Sequence, residues 1–132
     1  MGIIEEATRL HENGFNCAQS VLCACGKYTG LDDDTALALS AGFGGGVRCG
    51  EICGAISGAV MAIGMAYPFA DASDAKAKER IAALTRECTG RFENEYGCVR
   101  CCELKASGCS CAALIEYAAA LAEDIINVNK NK

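Results

Sequence analysis

The chain has 132 residues, a length that suits one domain around one core. A net charge of −5 argues against nucleic acid as a partner, since no surplus of Lys and Arg is left to neutralise phosphates, and suits a small acidic carrier that docks on basic patches. Hydrophobic residues make up 52% of the chain but aromatics only 6%, with no Trp and one Pro. The core must therefore be packed from Ala, Leu, Ile, Val and Cys, and helices are favoured over short, turn-punctuated strands.

Residues 3–13 read as a first helix with Ile3, Ala7 and Leu10 on one face, ended by Gly14. Asn16 caps a second helix that runs from Cys17 towards Lys27. The run Asp32-Asp33-Asp34 supplies a cap and first-turn charges for a short third helix, Thr35–Ala41. Gly42-Phe43-Gly44-Gly45-Gly46 then forms a loop, because glycine is costly inside a helix. A fourth helix, Ile52–Tyr67, follows. No charge falls between Ile52 and Ala70, and Gly54 and Gly58 stand in a GxxxG arrangement, but Pro68 leaves the segment shorter than the ~20 residues a bilayer requires. A buried central helix is expected, with no membrane span.

Beyond Pro68, Ser73–Glu95 reads as a long amphipathic helix in which Ile81, Leu84, Cys88 and Phe92 share a face. Gly97 ends it and opens a cysteine-rich connection, Cys98 to Cys111. In the last helix, Ala112–Asn127, Leu114, Ile115, Ala118, Leu121, Ala122 and Ile125 face inward, while Glu116, Glu123 and Asp124 face out. Residues 1–132 thus read as one all-α domain, a bundle of five to six helices with a glycine-rich and a cysteine-rich loop.

Eleven cysteines punctuate this frame. The opening residues carry neither the basic nor the apolar run of an export signal, so the expected compartment is the reducing cytoplasm. There, dense cysteines suggest metal ligation or redox chemistry more than a disulfide framework. Cys17, Cys53, Cys109 and Cys111 fall at or near expected helix starts, where unpaired N–H groups and the helix dipole lower a thiol pKa. Cys98-Val99-Arg100-Cys101 is a C-x-x-C without the second copy of a zinc ribbon. Cys49 and Cys53 are four apart and reach one ion only if already helical. Cys23, Cys25 and Cys88 read as buried small hydrophobes, and His11, outside every cysteine group, as an ordinary packing or surface histidine. Gly44, Gly45 and Gly46 with Arg48 lack the ending of a P-loop; they read as backbone that comes close to a cluster or helix and donates N–H groups to sulfur, with Arg48 adding positive charge.

The strings Gly14-Phe15-Asn16-Cys17-Ala18-Gln19, Gly42-Phe43-Gly44-Gly45-Gly46 with Arg48, Gly50-Glu51, and Cys53-Gly54-Ala55-Ile56-Ser57-Gly58 resemble the C-GCAxxG-C-C family of redox-active proteins. The resemblance continues from Gly97 through Cys101 to Glu103-Leu104 and the cysteine before the last helix. It implies four characteristic cysteines, here Cys17, Cys53, Cys101 and either Cys111 or Cys109. It also implies kinship to the iron–sulfur part of split-Soret cytochromes, without a haem motif. Cys49, Cys98, Cys102 and Cys109 are then additional candidates for a larger or second cluster, or for a resolving-thiol network.

Three functions compete. In the first, the protein is an iron–sulfur electron carrier or redox accessory rather than a stand-alone enzyme, with Cys17, Cys53, Cys101 and Cys111 as ligands and an oxidoreductase as partner. The second is a thiol–disulfide oxidoreductase or redox sensor exchanging through Cys98 and Cys101, with no cofactor. The third is a structural zinc protein. A homodimer is expected if the CGAxxG helix face is exposed and pairs with itself.

Overall fold

Four helices begin where capping side chains stand. In the computed structural model, which describes residues 2–130, Asn16 caps α2 (Cys17–Ala24), its Oδ1 accepting from Gln19 N at 2.9 Å while Gln19 Oε1 accepts from Asn16 N at 3.1 Å. Asp32 caps α4 (Asp33–Ser40), Asp74 caps α6 (Ala75–Tyr96) and Ser110 caps α8 (Cys111–Val128), each through an oxygen that accepts a backbone N–H three residues on. α1 covers Ile3–Glu12, and its buried residues are the expected Ile3, Ala7 and Leu10. The chain is all-α. No strand forms among the described residues, only one antiparallel bridge between Ile52 and Arg100.

Among the described residues eight α-helices replace the expected five to six, because two short ones have little periodicity to reveal them. The second expected helix breaks at Cys25, ahead of Gly26, and resumes as α3 (Gly26–Thr29), which ends at Gly30 in the left-handed conformation. The cysteine-rich connection is not all loop either: Cys101–Ala106 form α7.

α5 (Gly54–Ala66) is the central helix, packed against α2, α3, α6 and α8. Its thirteen residues agree with the buried reading, and no described helix is long and apolar enough to cross a membrane. Small residues allow the close packing. A Cβ on Gly58 would lie 2.7 Å from the Ala18 carbonyl oxygen and 3.1 Å from Val21 Cβ; one on Gly54 would lie 2.9 Å from the Phe43 carbonyl oxygen. The CGAxxG face is therefore spent inside the molecule, against α2, which removes the exposed surface on which self-pairing was expected. On α8 the six expected inward residues are all buried, together with Ala119 and Ile126. Phe92 anchors the other end of the core, with Tyr96 and Tyr117 against its ring.

Candidate functional site

The first turns of four helices meet at one cavity. Cys17 opens α2, Cys53 is the residue before α5, Cys101 opens α7 and Cys111 opens α8. All four line a cavity of ≈ 220 Å³, together with His11, Asn16, Gly45, Arg48, Gly54, Lys105 and Leu114. The structure does not bring Cys49, Cys98, Cys102 or Cys109 into that lining. Cys49 and Cys102 are exposed, and Cys98 and Cys109 are half-buried. Of the two cysteines that could be the family's last, Cys111 lines the cavity.

Local bonding explains how each side of the site is held. Glu51 to Cys53 run antiparallel to Val99 to Cys101: Cys53 N donates to Val99 O at 2.9 Å and Cys101 N donates to Glu51 O at 2.6 Å, flanking the Ile52–Arg100 bridge. Outside it, Arg100 Nε donates to Glu51 Oε2 at 2.8 Å. Cys53 and Cys101 are thus fixed side by side by backbone. On the opposite side, Asn16 does more than cap Cys17's helix. Its Nδ2 donates to Ala41 O at 3.0 Å, and Gln19 Nε2 donates to Leu37 O at 3.0 Å, so α2 is tied to the end of α4.

The glycine loop closes the third side. Gly44 passes directly over Asn16, where a Cβ would stand 2.7 Å from that side chain. Gly45, Gly46, Val47 and Arg48 all have φ between 57° and 64°, a left-handed turn that folds the chain back so that Glu51 N donates to Gly46 O at 3.0 Å. A Cβ on Gly46 would meet Glu51 backbone at 2.5 Å and Cys101 Cβ at 2.9 Å, so only glycine lets the turn lie against Cys101. Valine and arginine are rare in this conformation, and both are held here at some cost in strain. Gly45 and Arg48 reach the cavity; Gly44 and Gly46 are buried outside its lining. Because residues 46–50 are not α-helical, Cys49 does not follow Cys53 around a helix face: Cys49 lies outside, with its Sγ 3.4 Å from Gly46 O.

Two cavity thiols are less acidic than their helix-start positions suggest. Burial pushes Cys17 up, to about 12, with the Cys111, Cys53 and Cys101 sulfurs adding to the shift. Burial raises Cys53 too, against the pull of the Ala55 and Ile56 N–H groups that donate to its sulfur. At Cys53, then, burial outweighs the helix-start donors. Cys25 and Cys88 are buried and pushed up to about 12, and Cys23, facing Asp33, to about 11. These three pack as the small hydrophobes the sequence suggested. The sulfur that acts on Cys98 is Cys109's, which adds to a rise led by desolvation and Glu103.

Sequence reasoning did not place His11, Lys105, Asn16, Gly54 or Leu114 at the site. His11 sits at the end of α1, with Nδ1 3.3 Å from Phe15 O, and Lys105 rides on α7. The lining holds one Arg, one Lys and one His but no Asp or Glu, although acids outnumber bases 17 to 12 in the chain. Among the described residues no three or more His, Cys, Asp or Glu are set closely enough to hold a metal ion. The four sulfurs surround a space instead. Thiols are soft donors, and here they stand beside an Arg, a Lys and a His with no carboxylate in the lining.

No curated protein and no solved structure matches this chain. Residues 15–125 match the family described as "Putative redox-active protein (C_GCAxxG_C_C)". That span takes in all four cavity cysteines and the glycine loop, and the chain belongs to the C_GCAxxG_C_C family.

Proposed function

We propose that the protein carries an iron–sulfur cluster on Cys17, Cys53, Cys101 and Cys111 and serves in the cytoplasm as an electron carrier or redox accessory to an oxidoreductase. The observation that supports this most is the convergence of four helix starts, each with one cysteine, on a single carboxylate-free cavity. Bound there, a cluster supplies one-electron oxidation and reduction. The chain's own residues do the rest. The four cysteines give up their protons and bind; the Ala55 and Ile56 N–H groups already point at the Cys53 sulfur; Arg48 and Lys105 offset negative charge; Leu114 and the packed glycines restrict water.

Thiol exchange is the weaker reading, for a physical reason. Cys101 is in the cavity wall whereas Cys98 is not, and a buried thiol with a raised pKa, such as Cys17, provides little thiolate for attack.

The test is an ultraviolet–visible spectrum of anaerobically purified protein, before and after dithionite. A broad band near ~400 nm that bleaches is expected, together with loss of most bound iron in Cys17→Ala, Cys53→Ala, Cys101→Ala and Cys111→Ala but not in Cys49→Ser or Cys102→Ser. Protein that stays colourless after reconstitution with iron and sulfide would overturn the proposal.

A further inference from the structure

The chain as a whole is acidic, but the mouth of its cysteine cavity is not. Arg48 comes to it from the left-handed loop and Lys105 from α7, both exposed, with the His11 imidazole at the end of α1 on another side. Neither Arg48 nor Lys105 is in an ion pair among the described residues; Arg100, by contrast, is held by Glu51 at 2.8 Å. Near these cations the exposed carboxylates, Glu51 and Glu103, are both paired with Arg100, and two apolar side chains are exposed. Val47 is 50% exposed and Ile52 40%, at the two ends of one short stretch of chain. Val47 endures an unfavourable φ of 57° without being buried in return, so the conformation is not maintained for Val47's own packing. What the turn achieves is to put Val47 outside and Arg48 at the opening.

We propose that this face, with Arg48 and Lys105 flanking Val47 and Ile52, is where a partner protein docks through a carboxylate-bearing surface set around an apolar spot. The inference rests on the electron-carrier reading, since the mouth is the opening onto the four sulfurs. It reverses the expectation drawn from net charge. Against a net charge of −5, cations at the mouth fix a partner's orientation as well as its position.

Carbodiimide cross-linking to a poly-glutamate peptide at low ionic strength, followed by peptide mapping, tests it on the intact protein. Lys27, Lys76, Lys78 and Lys130 act as internal controls. Linkage is expected to concentrate at Lys105. Arg48→Glu should cut it there by about threefold to tenfold while leaving Lys76 and Lys78 unchanged, and ~1 M salt should erase the preference. Linkage spread evenly over the lysines, or linkage at Lys105 indifferent to Arg48→Glu, would overturn the docking face. The readout needs no cluster. A colourless protein that still links at Lys105 keeps the face and loses the electron-carrier reading. A coloured protein with even linkage does the reverse.

Discussion

Gly58 and Gly64 lie in the same helix, yet alanine at each should act in opposite directions. At 58 the new methyl would stand 2.7 Å from the Ala18 carbonyl oxygen, a backbone atom that cannot swing aside. Either α5 moves away from α2 or the overlap persists, and a loss of roughly 1–3 kcal/mol is expected. At 64 nothing lies within 4 Å, so Gly64→Ala removes only the entropy cost of a helical glycine and should gain about 0.5–1 kcal/mol. Urea unfolding of both variants checks the pair: midpoints that shift the same way would contradict this account of α5. The glycine pattern was plain in the sequence, but its partner was not. Spacing of this kind serves two helices of one chain as readily as two copies, and only the position of Ala18 and Val21 decides between them.

Caps show the same division at the scale of the element. Asn16 could be recognised as the start of α2 from its type and place, and the structure adds that its Nδ2 holds Ala41 O. Asn16→Ala should therefore lose about 1–2 kcal/mol, with Tm falling by several degrees, while Asn16→Asp keeps the capping oxygen, forfeits the tie to Ala41 and should fall between. Thermal unfolding of the three proteins measures it; Asn16→Asp as unstable as Asn16→Ala would put the whole effect on the Ala41 bond. α7 had no comparable signal. Arg100 makes no side-chain cap, six residues carry no readable period, and what positions the first turn is the bond from Cys101 N to Glu51 O, far away in sequence. The left-handed turn at Val47 and Arg48 escaped notice for a related reason, because neither residue type announces a positive φ.

For the molecule as a whole, buried thiols make stability depend on alkaline pH. Burial moves Cys25 and Cys88 from an ordinary 9.0 to about 12. The folded state therefore keeps protons that the unfolded chain releases near 9. This contribution is complete below pH 9 and is lost as pH climbs towards 12. Urea midpoints of the metal-free protein should stay level to about pH 8 and then decline, and Cys88→Ala should start lower but decline less steeply; an unchanged slope would show that other groups govern the window. Helical class, most helix positions and the inward face of α8 were all readable from periodicity and caps. The cavity was readable through its cysteines and through the glycine loop with Arg48, whereas His11 and Lys105 reach it from segments that no local pattern connects. The cavity cysteines themselves are drawn from the beginning, the middle and the last third of the chain, at residues 17, 53, 101 and 111. A group bonded to all four would be a four-pronged cross-link closing two long loops and a short one, and it would restrict the unfolded chain far more than the folded. Opening of the loaded protein would then wait on release of the group, so that the arrangement would confer kinetic persistence beyond what the equilibrium stability of the small-residue core supplies.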